Sequence, residues 1–313
     1  MPLPINLPHT PQNLISKAVD WSRAGQRLAL ITLIGIEGNA PYPIGSQMLV
    51  NEKGDYLGQI TGGCAEQAIA DQACESIRGG SNTNHRYGLN SPYFDILLPC
   101  GSGIDVFIDV ASQQSDYLAI SQSLATRNVV SQELETQLGG FSKIYTPNQR
   151  VIICGQGPIL IGLAEMARLS GFEVICIGQN NQTVQQLAAV GIAAIELSQL
   201  GGDILDCCDA YTAVVSLFHE HDHETPILHS TLRSKAFYIG ALGSRSTHAQ
   251  RIDALTKLGN QKPQLMRIHG PVGLDIGART PAHIALSILA HIVEQLPKST
   301  MLGLISGEIA LND

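Results

Sequence analysis

No stretch of this chain approaches the roughly 18–20 uninterrupted apolar residues that a bilayer-spanning helix needs, so no membrane span is expected. No cluster of Lys and Arg offsets the formal net charge of −8. An acidic surface repels a phosphate backbone, which argues against a nucleic-acid partner. There is no Cys-x-x-Cys pair, the usual signature of structural zinc or of a cysteine-held iron–sulfur cluster. The 7 cysteines are odd in number and scattered, with Cys207 and Cys208 adjacent, so no disulfide framework is expected. Met1 to Thr10 has neither a basic n-region nor an apolar h-region and does not read as a signal peptide. Together these absences point to a cytoplasmic protein.

What is present fits a globular chain with more than one core. Of 313 residues, 44% are hydrophobic and 15% charged, and that length predicts two domains. In the first half, Pro11 to Ala24 and Cys64 to about Ile77 read as helices. Leu28 to Ile36 reads as a strand, Met48 to Val50 with Tyr56 to Ile60 as a hairpin, and Phe94 to Leu98 with Ile104 to Val110 as another. Ser115 to Arg127 is expected to be helical. Gly139 to Arg150 has little apolar content and reads as the boundary. Beyond it short apolar strands (Val151 to Cys154, Phe172 to Ile177, Ala213 to Leu217, Ala236 to Ile239) alternate with helical stretches, the pattern of a covered parallel sheet. The expected fold is α/β: an N-terminal α+β domain over 1–145 and a C-terminal Rossmann-like parallel-sheet domain over 146–313.

The strand ending at Cys154 runs into Gly155-Gln156-Gly157 and then a helix, an arrangement whose backbone N–H groups cradle phosphate. The fingerprint is partial. Leu160 stands at the third glycine position, with Gly162 two places later. Gly178, Gln179 and Asn180 stand where an acid would bind the ribose of NAD. A phosphate-bearing ligand, NAD(P), and a ligand-free tight turn all remain open for this loop.

Three stretches carry a family resemblance. The first is Gly58-Gln59-Ile60-Thr61-Gly62-Gly63-Cys64-Ala65-Glu66. The second is Leu98-Pro99-Cys100-Gly101 and the strand after it. The third joins Tyr238-Ile239-Gly240-Ala241-Leu242-Gly243-Ser244-Arg245 to His269-Gly270-Pro271-Val272-Gly273-Leu274-Asp275-Ile276-Gly277-Ala278, Thr280-Pro281 and Ile284 to Ala290. In this order they resemble the XdhC/CoxI family. The resemblance implies an accessory protein that binds the molybdenum cofactor (molybdopterin), supports its sulfuration and delivers it to a xanthine dehydrogenase-type molybdoenzyme, with a cysteine desulfurase as a second partner. It implies a binding and transfer protein rather than a turnover enzyme. A NAD(P)-dependent oxidoreductase is the alternative. The chain departs from the family at His219 to Glu224, at Ala282-His283 and at His291. A homodimer is expected only because two-fold dimers are the commonest oligomers.

Within that frame Cys64 is the first candidate. It follows two glycines at a predicted helix N-terminus, where the dipole favours thiolate, the form that ligates metal or accepts sulfur. Glu66 in the first turn complements the dipole and opposes the thiolate by like charge. Cys100 lies in a Gly-rich hairpin tip. The opposing readings are a small buried thiol at Cys64 and a tolerated loop cysteine at Cys100. Cys74, Cys154, Cys176, Cys207 and Cys208 are assigned to packing. Gly240, Gly243, Ser244 and Arg245 follow a strand and suit a phosphate, or else Ser244 caps the next helix. Asp275, in a loop with Gly270, Pro271, Gly273 and Gly277, either accepts donors from a pterin or ribose or stabilises its own turn. His219, His221 and His223 alternate, so on an extended segment they share a face that can hold a metal; otherwise they form a solvated loop.

Overall fold

The computed structural model describes residues 10–92, 98, 101–199, 208–218, 221–296 and 304–305. The chain divides into two compact units, built on His9–Pro147 and on Asn148–Pro297.

In the first unit the order is α1 (Pro11–Arg23), β1 (Leu28–Glu37), β2 (Gln47–Asn51), β3 (Tyr56–Gly58), α2 (Glu66–Gly79), β4 (Thr83–Gly88), β5 (Gly103–Asp109), α3 (Gln114–Ala125), β6 (Val130–Thr136) and β7 (Gly139–Tyr145). Thr10 starts α1 by accepting the Asn13 N–H at 3.3 Å, with Pro11 in the first turn, where its missing N–H costs nothing. Strands β3-β2-β1-β5-β4 form an antiparallel sheet. β1 is apolar nearly throughout because both its faces are covered. Ala29, Ile31 and Leu33 meet Ile69, Ala70 and Ala73 of α2, while Leu28 and Leu30 meet Leu14, Tyr117 and Leu124 of α1 and α3. Each Leu or Ile among them, fully buried, contributes about 1.5–3 kcal/mol.

Three strands here, β4, β6 and β7, go beyond the sequence expectation. β5 pairs with β4 and β1, and β4 is polar (Thr83, Asn84, His85, Arg86), as an edge strand is. The expected partner, Phe94 to Leu98, lies outside the described residues except for Leu98. The segment read as a boundary contains β7, which pairs with β6 and turns Phe141, Lys143 and Tyr145 inward. Leu304–Ile305 form β14, antiparallel to β7.

The second unit runs β8 (Arg150–Gly155), α4 (Pro158–Leu169), β9 (Glu173–Gly178), α5 (Asn181–Ala189), β10 (Ala194–Glu196), β11 (Thr212–Leu217), α6 (His221–Thr231), β12 (Tyr238–Ala241), α7 (Arg245–Lys257), α8 (Lys262–Leu265), β13 (Ile268–His269) and α9 (Pro281–Glu294). Its six strands are parallel in the order β10-β9-β8-β11-β12-β13. This is the Rossmann order, and its direction reverses between β8 and β11. Leu160, Leu163, Leu187, Ile288 and Ile292 of α4, α5 and α9 cover one face. Leu228 of α6, Leu232 just after it, Leu255 of α7 and Leu265 of α8 cover the other. Among the described residues no helix is long and apolar enough to cross a membrane.

Candidate functional site

Each unit contains a cavity. In the second unit it lies at the carboxyl ends of the strands, where the order reverses and α/β folds bind ligands. It measures about 410 Å³, and its walls include Gln156, Gly157, Asn180, Leu217, Leu242 and Pro281. Gly155 has φ +137°, and a Cβ there would stand 2.7 Å from the carbonyl carbon of Leu217, so strand and neighbour meet this closely only at glycine. Gly157, with φ +86°, is the residue before α4, and a Cβ there would meet nothing within 4 Å. The turn therefore opens onto the cavity. Leu160 is buried in the core, and Gly162 lies against α9, where an added Cβ would be 3.6 Å from that of Ala285.

Asn180 stands just past β9. Its Oδ1 accepts the Thr183 N–H at 3.0 Å and the Thr183 hydroxyl at 3.1 Å, so it caps α5. Its carbonyl oxygen is committed and carries no charge, unlike the acid that grips a ribose diol.

The second predicted phosphate loop separates into parts. Gly240 does not follow β12 but sits inside it, where an added Cβ would be 2.5 Å from Val272 Cγ2 and 2.8 Å from the Tyr238 ring. Its glycine is accounted for by side chains packing across the strand. Gly243 has φ +141°, and the Ser244 hydroxyl accepts the Thr247 N–H at 3.1 Å as the cap of α7. Arg245, first in that helix, and Asp275, in the loop after β13, are both exposed, and neither is among the residues lining the cavity.

A pair the sequence reading missed underlies this loop. Arg251 of α7 and Glu224 of α6 are 1% and 2% exposed and joined by two hydrogen bonds of 2.9 and 3.0 Å. Arg251 also donates to the Leu242 carbonyl at 2.6 Å and to His248 Nδ1 at 3.3 Å, while the Ser216 hydroxyl donates to Glu224 at 3.0 Å. Burial, and then the Arg251 charge, push the His248 imidazole below its ordinary value. The only sequence signal was an Arg and a Glu on helices with few other charges. Arg251→Met should lower stability by about 3–5 kcal/mol, because Glu224 is left charged and buried. Adding Glu224→Leu should recover most of that loss, as read by urea denaturation.

His221 and His223 lie in the first turn of α6 rather than on an extended segment. The extended backbone that a shared imidazole face requires is therefore not formed at 221–223. His219 is outside the described residues. Among the described residues no group of three or more His, Cys, Asp or Glu is placed to hold a metal ion.

In the first unit, β3 leads into Gly62 and Gly63, with φ +77° and +100°, then Cys64 and Ala65. α2 begins at Glu66, so Cys64 stands just outside the helix. It is exposed and lies on a cavity of about 410 Å³, walled mainly by Pro41, Ile60, Leu98 and Ile104 with Thr61 and Ser102. Cys100 is outside the described residues, but Leu98 and Ser102, on either side of it, both line this cavity. Cys74 is half-buried, and Cys154, Cys176 and Cys208 are buried. Burial pushes the Cys154 thiol up and Cys176 up to about 12, which keeps both protonated.

Glu66 is 3% exposed and turned into the loop. Its Oε1 accepts the N–H groups of Ile60 and Thr61 at 3.0 and 2.7 Å. Its Oε2 accepts the Thr61 hydroxyl at 2.5 Å and the N–H groups of Gly63 and Ala65 at 2.8 and 3.3 Å. Burial resists ionisation, but the bonds from Thr61 and Ile60 outweigh it and hold the carboxyl below its ordinary value. The sequence reading set Glu66 beside Cys64 in the ligand site; the geometry has it fixing the shape of the segment that carries Cys64.

Comparison with known proteins covers nearly the whole chain. Residues 151–292 match the family described as XdhC Rossmann domain, and residues 21–88 match the XdhC and CoxI family. An Escherichia coli (strain K12) protein named molybdenum cofactor insertion chaperone PaoD is 32% identical over 297 residues, 90% of this chain and 87% of its own. A Bacillus subtilis (strain 168) protein named as a probable subunit of xanthine dehydrogenase is 25% identical over 323 residues, 86% of this chain and 93% of its own. A solved Bacillus halodurans structure described as a xanthine dehydrogenase has a TM-score of 0.75 at 22% identity, covering 92% of this chain and 96% of its own. At that identity it speaks for the fold alone.

Proposed function

We propose a function from one premise, that the chain belongs to the XdhC and CoxI family: it binds the molybdenum cofactor, holds it for maturation and hands it to a xanthine dehydrogenase-type molybdoenzyme. The observation that carries this is the 32% identity to the E. coli insertion chaperone over nearly the full length of both chains. The geometry of the first unit supports this reading. Cys64 offers a soft sulfur donor at the edge of a cavity whose volume is in the range of small-ligand sites. Pro41, Ile60, Leu98 and Ile104 give the cavity beside the thiol apolar walls. Glu66 keeps the loop in one shape, so little ordering entropy is spent on binding.

In this reading a cysteine desulfurase supplies sulfur, the protein works in the cytoplasm, and it is a homodimer. Cys100 is proposed as a second thiol of the same site. Within the second unit, taken by itself, Gly155, Gly157, Gly243, Ser244 and Arg245 are proposed as positions for a phosphate-bearing ligand, and Asp275 as an acceptor for pterin or ribose donors. A nicotinamide oxidoreductase is the second reading, favoured by the strand order and the turn at Gly157 and opposed by the neutral cap at Asn180.

The test is anaerobic co-elution of the purified protein with released molybdenum cofactor, scored by molybdenum content and pterin fluorescence. Stoichiometric binding is expected, with transfer to a cofactor-free partner enzyme restoring its activity. If intact cofactor fails to bind while NADH binds saturably in the micromolar range, the second reading replaces the first.

A further inference from the structure

Lys143 occupies a position built for an apolar side chain. On the inward face of β7 it stands between Phe141 and Tyr145, 7% exposed. Its Nζ is 5.3 Å from the centroid of the Tyr145 ring, and it takes part in no ion pair or hydrogen bond among the described residues. The polar groups near it are committed to one another. Gln47 Nε2 donates to the Thr32 hydroxyl at 2.9 Å and to the Tyr145 oxygen at 3.0 Å. Tyr145 donates to Gln132 Oε1 at 3.0 Å, and Gln132, the cross-strand neighbour of Lys143, donates to the Ser112 hydroxyl at 3.0 Å. Gln47 Oε1 is buried without a donor. A cation held here, with a single aromatic face for company, is poorly compensated.

We propose that Lys143 is an acylation site, its amine taking the acyl group of a small acyl phosphate. Nζ attacks the carbonyl carbon, the bond from that carbon to the phosphate oxygen breaks, and inorganic phosphate leaves with the electron pair. The amine gives up a proton to solvent phosphate. The product is an uncharged amide, which removes the charge that burial opposes. Burial lowers the amine to about 8, so a substantial share is unprotonated near neutrality. At pH 7.5 such an amine has about 200 times the reactive form of one at the ordinary value of about 10.4. Nothing in this proposal depends on the cofactor reading.

The experiment treats the full chain with acetyl phosphate at pH 7.5 and follows each lysine by peptide mass spectrometry. Lys143 should acetylate at least tenfold faster than Lys17, Lys53, Lys235, Lys257 and Lys262, and its rate should level off above about pH 8 while theirs keep rising. Reaction at Lys143 slower than at those lysines, or only after denaturation, overturns the proposal. Lys143→Gln, an uncharged stand-in for the product, should raise Tm at pH 7; a fall in Tm would mean that the site has no room for the amide and would also overturn it.

Discussion

Cys64→Ala should lower retention of the molybdenum cofactor at least tenfold while leaving Tm within a degree or two of the parent. The two halves of that result have separate causes. The thiol is exposed and precedes the first residue of α2, so its removal opens no core cavity. Five of the hydrogen bonds that shape its loop end on Glu66 and one, from the Ala65 N–H, ends on the Thr61 hydroxyl; none of them involves the Cys64 side chain. Its loss therefore touches only what the cavity holds, and tenfold corresponds to about 1.4 kcal/mol of lost binding. Cys74→Ala is the control, because that thiol is half-buried and donates to the Asn51 carbonyl at 3.6 Å, away from the cavity. Molybdenum content after anaerobic gel filtration, beside a thermal melt, reads both halves. Full retention by Cys64→Ala would remove the thiol from the site.

The largest stability effect should come from the neighbouring residue. Glu66→Ala should destabilise the first unit by about 3–5 kcal/mol, since it strands the N–H groups of Ile60, Thr61 and Gly63 and the Thr61 hydroxyl proton around a space with no acceptor, while the Ala65 N–H keeps the Thr61 oxygen at 2.9 Å. Glu66→Gln should fall between the two, because one of its amide positions presents hydrogens to groups that are themselves donors. The direction of the carboxyl shift fixes the pH dependence. Its folded-state value is held below the ordinary one, so its stabilisation is fully present above the unfolded-state value near 4.5 and is lost as pH falls through the folded value. Urea denaturation at pH 7 and again at pH 3 should therefore show the gap between parent and Glu66→Gln narrowing in acid. A gap of the same size at both pH values would mean that the carboxylate charge contributes nothing to holding the loop.

The parallel sheet was legible because its strands are buried on both faces. Val151 to Cys154 and Ala213 to Leu217 are continuous apolar runs, and Gly155-Gln156-Gly157 marks the turn after the first of them. β4, β6 and β7 were not legible, because alternation fails where an inward position is polar. Lys143 interrupts the pattern of Phe141 and Tyr145, and β4 lies at a sheet edge where polar side chains are favoured. The histidine run was misread because alternation means a shared face only on a strand, and Glu224 within the same run belongs instead to the buried pair with Arg251. Cys64 could be singled out from its glycines, whereas the direction in which Glu66 points could not, since a first-turn acid reads the same whether it faces solvent or folds back on its own loop.

The missing third glycine of the phosphate turn has a mechanical consequence. In the usual pattern that glycine lets helix and strand approach; here Leu160 fills the space, and Gly162 lets α4 approach α9 instead. α9 begins at Pro281, which forms part of the cavity wall, and the contact at Ala285 comes one turn later. The bore of the cavity is thus gauged from behind, by how close two helices can lie. A bulkier residue at 162 would act as a shim between them, changing what the cavity admits without ever meeting it.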